Sequence, residues 1–203
     1  MKRILAAILL CAAVCFTAGC GGKNTSDTVT DDKTESFMRG KWNGDVFTSD
    51  FFGITITLDA ACTKDSDAAL ALQNGLADMS DETFNGAVEN SDGSSYFTEL
   101  SALYHDKCSI GLAYAKLDGK SADWLVRDTA NEMMRSAMFK DVSTDTVMIA
   151  GEERPCVYTT MLDGYAEIKE IVIVYQHGDY FAVLTLGALF EPDLWEMIAG
   201  VLG

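Results

Sequence analysis

The stretch that decides the fold class is Ile171-Val172-Ile173-Val174-Tyr175, an apolar run with no polar residue on either side of the strand. A strand with one solvated face alternates apolar and polar side chains, and this run does not alternate. Residues 171–175 therefore predict a central strand whose two faces are both covered by other elements.

The segments around this run predict an antiparallel sheet. Turn residues at Gly151, Asp163-Gly164 and Gly178-Asp179 divide the C-terminal part into short apolar segments, as in a meander of hairpins. The predicted strands are residues 46–49, 54–58, 96–104, 108–117, 142–150, 155–162, 166–175 and 180–187.

Three helices are predicted between and after these strands. The first is capped by Asp65 or Ser66, the second by Ser121, and the third opens with Pro192, which the first turn of a helix tolerates. Inward residues recur at steps of three and four. They are predicted to be Ala69, Leu72, Leu76 and Met79 in the first helix, Ala122, Leu125, Val126, Thr129, Met133, Ala137 and Met138 in the second, and Leu194, Trp195, Ile198, Val201 and Leu202 in the third.

Helices that interleave with an antiparallel sheet predict an α+β fold, a sheet flanked by helices as an α/β/α sandwich. Residues 82–95 are polar and glycine-rich, and we expect an exposed loop there. Composition does not shift from Phe37 or Trp42 to the C-terminus, and we place one domain at residues 42–203. That length is enough to bury a core without disulfides.

The N-terminus is predicted to be an export signal. Lys2 and Arg3 precede an apolar run at residues 4–16, which is shorter than the ~20 residues of a membrane-spanning helix. Thr17-Ala18-Gly19-Cys20 has the small-residue and cysteine pattern of a lipobox. We expect cleavage between Gly19 and Cys20 and acyl chains such as palmitate on Cys20; a plain secretory signal cleaved near Ala18 is the alternative.

Residues 20–41 are predicted to be the lipidated cysteine and a flexible tether. Residues 21–36 contain one apolar side chain, Val29, and cannot offset the entropy of ordering. Two or more acyl chains anchor a protein stably, and a linker of this length spans roughly 20–25 Å. The expected location is the extracytoplasmic face of the cell membrane.

The charge balance excludes one class of partner. The chain has 15 basic and 31 acidic residues, and loss of residues 1–19 leaves 13 basic residues and a net charge of −18. Nucleic acids and anionic headgroups need a basic surface. We expect no nucleic-acid partner, membrane attachment through the acyl chains alone, and a monomer with an unknown protein or small-molecule partner.

Three cysteines fall in the predicted domain, namely Cys62, Cys108 and Cys156. Outside the cytoplasm two of them could pair and leave one thiol. Alternation with apolar neighbours favours Cys108 and Cys156 as buried, small apolar side chains. The histidines, His105 and His177, fall in predicted turns. A nucleophile pair of Cys108 with His105 is disfavoured because a reactive thiol needs an accessible, electropositive setting.

Signatures of catalysis are absent from the sequence, which has no P-loop, GxGxxG, GxSxG, HExxH or paired CxxC motif. Asp65-Ser66-Asp67 lacks the continuation of an EF-hand loop, and residues 89–93 suit a solvated loop as well as a weak Ca²⁺ site. We expect no enzyme, catalytic residue, cofactor or metal site. The alternative is a lipoprotein that binds a solute or a Ca²⁺-type ion beside residues 80–95.

Two segments carry a resemblance to a known group. They read W-N-G-D-V-F-T-S-D-F-F-G-I-T-I-T-L at residues 42–58 and D-Y-F-A-V-L-T-L at residues 179–186. They resemble small lipoproteins of gut Firmicutes, in which Phe47 is usually Tyr and residues 60–62 are usually Pro-Glu-Gly-Trp. That group is similar in element order to the PsbP-like fold, an antiparallel sheet between helices. The resemblance covers residues 42–203, brings no catalytic residues, and implies a non-enzymatic binding or accessory domain in the cell envelope.

Overall fold

The computed structural model describes residues 35–58, 62–93, 95–104 and 108–202. These ranges contain ten strands and four helices. The strands are β1 (Lys41–Asn43), β2 (Val46–Ser49), β3 (Ile54–Thr57), β4 (Cys62–Lys64), β5 (Phe97–Tyr104), β6 (Cys108–Lys116), β7 (Phe139–Ile149), β8 (Glu152–Asp163), β9 (Ala166–His177) and β10 (Tyr180–Ala188). The helices are α1 (Asp67–Asn74), α2 (Asp81–Glu89), α3 (Ala122–Arg135) and α4 (Glu191–Val201).

Seven strands form a large sheet in the order β4-β5-β6-β10-β9-β8-β7, and all its neighbouring pairs are antiparallel. Strands β1, β2 and β3 form a separate antiparallel sheet. Helix α3 packs on one face of the large sheet, here called the α3 face. The small sheet, α1, α2 and α4 share a core with the opposite face. The predicted α+β fold, with an antiparallel sheet flanked by helices, is confirmed.

The apolar run at residues 171–175 lies in β9, with β10 on one side and β8 on the other. Ile171, Ile173 and Tyr175 contribute to the core of the opposite face. Val172 and Val174 contribute to the core under α3. Residues from both sides of this strand are thus buried, as the lack of alternation predicted.

Helix α3 begins where the sequence predicted, because the Ser121 hydroxyl accepts a hydrogen bond from the Trp124 N–H at 3.2 Å. The helix ends at Arg135, earlier than predicted. Ala137 and Met138 are exposed and lead directly into β7, so their assignment to the inner face was wrong. The hairpin of β5 and β6 and the four C-terminal strands follow the prediction.

Helix α1 is shorter than predicted and presents a different face. Ser66 caps it, and Gly75 ends it in the left-handed conformation at φ 68°, which favours glycine. The buried residues are Leu70 and Ala71, whereas Leu72 is 83% exposed. The predicted stripe was wrong at Ala69 and Leu72, which are exposed within the helix, whereas Leu76 and Met79 pack against the core from beyond the helix end at Gly75.

Helix α2 replaces part of the loop predicted at residues 82–95. The Ser80 hydroxyl accepts a hydrogen bond from the Thr83 N–H, and Asp81 and Glu82 occupy the positively polarised first turn. Phe84 and Val88, four residues apart, are fully buried against the large sheet. Two apolar residues in a polar segment were too weak a pattern to predict this helix.

Helix α4 carries Pro192 in its first turn, as predicted. Leu194, Ile198 and Val201 are buried, and Met197 joins them. Trp195 was predicted to point inward but is 42% exposed and lies against the ring of Tyr158, with centroids 5.7 Å apart. None of the helices in the described ranges is long and apolar enough to cross a membrane.

The packed structure begins before the boundary that we placed at residue 42. Phe37 is 1% exposed, and its ring lies 5.1 Å from that of Tyr114, 5.6 Å from that of Phe51 and 5.7 Å from that of Tyr180. Gly40 is buried as well. Residues 37–40, which we call the entry segment, are therefore part of the core rather than of the tether.

Candidate functional site

Two buried glutamates are the unusual chemical features of this fold, since an apolar core seldom accepts a carboxyl group without a partner. The first is Glu99 in β5. The pairing of β5 with β6 shifts register between Thr98 and Leu100, which is a β-bulge. A bulge adds one residue and interrupts the alternation of side chains. Glu99 thereby comes to lie beside the neighbouring core residue Tyr114.

Glu99 is fully paired with the entry segment. Arg39 Nε donates a hydrogen bond to Glu99 Oε1 at 2.8 Å, and the Gly40 N–H donates to Oε2 at 3.1 Å. The Arg39 side chain also donates to the Met79 carbonyl and lies 5.0 Å from the ring centre of Phe84. One ion pair thus joins the entry segment, β5 and α2.

The surroundings of Glu99 are closed to solvent. Burial raises the pKa of Glu99, and its neighbours Tyr114, Arg39 and Gly40 oppose that rise. Burial also raises the pKa of Tyr114 well above its ordinary value, and the Glu99 charge adds to this effect. The hydroxyls of Tyr114 and Ser49 lie beside one another without a hydrogen bond of regular geometry. The Glu99 carboxyl group itself is paired and closed to solvent, so this cluster offers no surface to a ligand.

The second buried glutamate is Glu170 in β9, on the α3 face. It is 4% exposed, and its Oε2 atom has no hydrogen-bond partner. Burial alone raises the pKa of Glu170 to about 7. Close to neutral pH, this carboxyl group therefore exchanges a proton more readily than an ordinary glutamate would.

The strands beside Glu170 carry small residues. Glu170 pairs with Gly187 of β10, and Gly187 pairs with Ser109 of β6. Directly paired residues of an antiparallel sheet have their side chains on the same face. Ser109 is 7% exposed, and its hydroxyl also has no partner. The next row along the same face contains Gly111 and Thr185, both half-buried.

Gly187 is closely bounded by its neighbours, and a side chain there would displace them. A Cβ atom built on it would lie 2.8 Å from Ser109 Oγ and 3.3 Å from Ile168 Cγ2. The Ser109 hydroxyl is therefore aimed over the glycine. We call Ser109, Gly111, Glu170, Thr185 and Gly187 the Glu170 site. Its inner end is buried, and its outer end at Gly111 and Thr185 reaches solvent.

The predicted site residues Gly19 and Cys20 lie outside the described residues, as does His105. The proposed pair of Cys108 with His105 is therefore untested, although Cys108 itself is buried. His177 ends β9, where its ring is 4.3 Å from that of Phe51 and Nε2 is 3.2 Å from Glu35 Oε2. The structure does not bring this histidine to either buried glutamate.

The cysteines of the domain sit on different strands. Cys108 and Cys156 are buried, as predicted, and Cys62 is half-buried. Cys62 and Cys108 both pair with Tyr104, from the two sides of β5. The Cα atoms of Cys62 and Cys108 are therefore two strand spacings apart, ~9.5 Å, which is too far for a disulfide between them. Burial raises the pKa of Cys156, which makes its thiol a poor nucleophile.

The acidic segments have structural roles where the structure describes them. Asp65 Oδ2 accepts a hydrogen bond from the Ser101 hydroxyl at 2.6 Å, and Ser66 caps α1. Residues 89–93 end helix α2 and follow it, so the segment that was predicted to be an open loop is partly helical. In the described part of the chain, no three His, Cys, Asp or Glu side chains are grouped to hold a metal ion.

The sequence reasoning missed both buried glutamates. For Glu170 the sequence signal is weak, because the residue follows Glu167 and Lys169 in a charged segment just before the apolar run at residues 171–175. For Glu99 the alternation of β5 was misleading, since only the bulge brings its side chain to the core.

The fold places the chain among α+β proteins with an antiparallel sheet flanked by helices. No family model matches it, and no curated protein matches it significantly. Among solved structures it is similar to LpqN, which is described as involved in cell envelope biogenesis of Mycobacterium tuberculosis. The identity is 12% over 51% of this chain and 67% of that chain, with a TM-score of 0.39. A likeness at this level carries no functional argument, and the kinship with Firmicutes lipoproteins and the PsbP-like fold stays a prediction.

Proposed function

We propose that this protein is a membrane-anchored, extracytoplasmic lipoprotein of the cell envelope, with a domain that binds a partner or acts as an accessory subunit and is not an enzyme. The observation that carries the proposal is Thr17-Ala18-Gly19-Cys20, placed directly after a basic and apolar leader. That order is the one by which an export signal is recognised, and acylation of Cys20 would supply the anchor.

The chemistry of the described residues supports the binding role. A general base must reach the proton that it removes, and a nucleophile needs an adjacent base. Glu99 is enclosed by Arg39 and Gly40, and the Cys156 thiol is buried. Glu170 has the hydroxyls of Ser109 and Thr159 in its row of paired residues, with no histidine or lysine paired with it there to complete a catalytic set.

The anchor is tested by fractionating cells that express the full chain with Cys20→Ala. We expect the wild-type protein in the membrane fraction and the variant in the soluble extracytoplasmic fraction. Cys15→Ala is the matched control, because it removes a cysteine from the leader but leaves the lipobox intact. Retention of Cys20→Ala in the membrane fraction, or mass spectrometry that shows an unmodified mature N-terminus at another residue, contradicts the proposal.

A further inference from the structure

The large sheet has two edges, and the strands at these edges differ in length. Strand β4 at one edge has three residues, whereas β7 at the other has eleven. Proteins often protect a sheet edge by keeping its strand short, because unpaired N–H and C=O groups attract another strand. Among the described residues, no strand pairs with the outer side of β7. The long edge of this sheet is therefore open to an additional strand.

The regular part of this edge begins after a bulge. The register of β7 against β8 shifts between Lys140 and Ser143, and Asp141 within the shift has the left-handed φ of 55°. A bulge bends its strand and disrupts the ladder. From Ser143 to Ile149 the pairing with β8 continues without a further shift. We call the outer side of residues 143–149 the β7 edge.

The backbone groups on the β7 edge follow from the position of Thr146. This residue lies opposite Pro155, which has no N–H, and its own N–H is bonded to Asp145 Oδ1 at 2.8 Å. In an antiparallel strand, the N–H and C=O groups point alternately towards one neighbour and away from it. Thr146 therefore points these groups away from β8, as do Thr144 and Met148. The side chains of all three residues are exposed, so an extended chain can reach the backbone between them.

The charges beside the β7 edge favour a cationic partner. The cations of the hairpin formed by β7 and β8 are already paired, Lys140 with Glu167 and Arg154 with Glu152. Asp145, in the middle of the β7 edge, is exposed and has no ion pair within the described ranges. The edge therefore carries a negative charge that its own hairpin leaves uncompensated.

Asp145 also links the charge of the β7 edge to its backbone. Its carboxylate accepts a hydrogen bond from the outward-pointing Thr146 N–H. When a strand is added, a carbonyl group of that strand accepts from this N–H instead. The Asp145 carboxylate then becomes available to a cation on the added strand. A basic side chain opposite Asp145 thus replaces the hydrogen bond that the carboxylate gives up.

We propose that the β7 edge binds an extended, cationic segment of a partner protein, which adds an eighth antiparallel strand to the large sheet and places a basic side chain opposite Asp145. This inference rests on the proposed binding role and names the chemistry of the partner. The backbone of the added strand supplies hydrogen bonds, and its alternate side chains supply the specificity.

A second copy of this chain fits the β7 edge less well than a cationic segment. Each copy has a net charge of −16, so two copies repel each other. The β7 edge of a second copy also brings no unpaired cation to Asp145, because Lys140 is bonded to Glu167. Contact along a single short strand is typical of transient recognition rather than of a stable dimer.

Fluorescence anisotropy on the full-length chain in nonionic detergent tests the proposal. The probe is a dye-labelled peptide amide, Thr-Leu-Thr-Val-Lys-Val-Thr, whose lysine lies opposite Asp145 when its leucine lies opposite Met148. One counterpart has Glu in place of Lys, and we expect it to bind about two- to fivefold more weakly or worse, the value of a surface ion pair. The other is N-methylated at the central valine, opposite Thr146, and we expect no measurable binding.

The variants separate the backbone of the β7 edge from its charge. Thr146→Pro removes an outward N–H without removing a hydrogen bond to β8, and we expect loss of binding. Thr146→Val keeps the N–H and should bind like the wild type. Asp145→Asn should lower affinity for the lysine peptide about two- to fivefold. Asp50→Asn, at an exposed aspartate between β2 and β3, is its matched control and should change nothing. Thermal melts show whether each variant is folded, and the N-methylated peptide decides the matter if Thr146→Pro is not.

Each outcome supports or overturns the proposal. Binding of the lysine peptide that N-methylation abolishes supports it. Absence of binding, equal binding of the glutamate or N-methylated peptide, or undiminished binding to folded Thr146→Pro overturns it. Analytical ultracentrifugation in the same detergent covers the remaining occupant: a dimer that Thr146→Pro converts to a monomer means that a second copy occupies the edge, which also overturns it. Fractionation of Cys20→Ala does not involve β7, so failure of the anchor and failure of the β7 edge are distinguishable.

Discussion

Glu99 and Glu170 lie in the same seven-stranded sheet and are almost equally buried, yet their surroundings differ in one respect. Glu99 receives hydrogen bonds from Arg39 and from the Gly40 N–H. Glu170 has a glycine and a serine as its neighbours across β10 and β6, and its Oε2 has no partner. The Glu99 carboxyl group therefore accepts hydrogen bonds from its own chain, whereas Glu170 Oε2 accepts none from the described residues.

The difference separates a buried carboxyl group that receives donors from its own chain from one whose Oε2 has no donor among the described residues. A buried carboxylate costs free energy unless donors replace the water that it loses. At Glu99 the entry segment provides these donors, so the free energy of unfolding depends on them. At Glu170 the described residues supply no such donor to Oε2, so burial of the ionised carboxyl group lowers the free energy of unfolding.

The largest change in the free energy of unfolding is expected when the ion pair of Arg39 with Glu99 is broken. Arg39→Met leaves a carboxyl group with a fully buried side chain and no cationic partner. We expect the free energy of unfolding at pH 7 to fall by about 3–5 kcal/mol, as for other buried pairs that lose one partner. Chemical denaturation measures this loss. Arg135→Met, on an exposed arginine of α3, is the control and should change stability little.

A double variant sharpens the same prediction. In Arg39→Met with Glu99→Gln, no charge is left uncompensated, and we expect more than half of the lost stability to return. A double variant that is as unstable as Arg39→Met would mean that the arginine acts through its contacts with Phe84 and Met79 and not through the carboxylate.

The pH dependence of stability distinguishes the second glutamate. The pKa of Glu170 is about 7 in the fold, against 4.5 for an ordinary glutamate. The folded state therefore binds more protons than the unfolded state, and stability falls as pH rises from about 4.5 through 7. Replacing Glu170 by Gln should remove this part of the pH dependence. Relative to the wild type, the variant should gain about 3 kcal/mol between pH 4 and pH 8, the value of 2.5 pKa units.

Denaturation curves at pH 4, 6 and 8 measure this gain. Glu153→Gln should show no comparable gain, because its side chain is exposed. A constant difference between Glu170→Gln and the wild type across this range would contradict the unpaired state of the Glu170 carboxyl group.

The smallest expected changes in stability come from substituting two serines of the large sheet. Ser109 has a buried hydroxyl without a partner, whereas the Ser101 hydroxyl donates to Asp65. Ser109→Ala should be neutral or stabilising by up to about 1 kcal/mol, because an unsatisfied group is removed. Ser101→Ala should be destabilising by about 1 kcal/mol, because Asp65 loses its donor. Thermal melts of the two variants should therefore shift in opposite directions or differ clearly in size.

Periodicity was sufficient to predict the architecture where it was strong. The run at residues 171–175, the turns at Asp163-Gly164 and Gly178-Asp179, and the cap at Ser121 each indicated the observed element. These signals are local and need no knowledge of tertiary contacts. Helix α2 could not be predicted because Phe84 and Val88 stabilise it only through the large sheet on which they pack.

The candidate site could not be predicted from local sequence patterns alone. The glycine and serine beside Glu170 come from β10 and β6, which no local pattern around Glu170 indicates. Only strand register brings these three residues together. The pairing of Arg39 with Glu99, separated by sixty positions in the chain, likewise depends on a bulge that alternation cannot reveal.

The entry segment has a mechanical consequence. A pull on the chain at residue 36 reaches Phe37 and then Arg39 before it reaches β1. Phe37 is enclosed by aromatic rings, and Arg39 is bonded to β5 and to the chain just before α2. Load therefore passes into the large sheet and bypasses the outer strand of the small sheet, whose hydrogen bonds would open one after another. Phe37 and the Arg39–Glu99 ion pair are therefore the first contacts of the core to bear such a load.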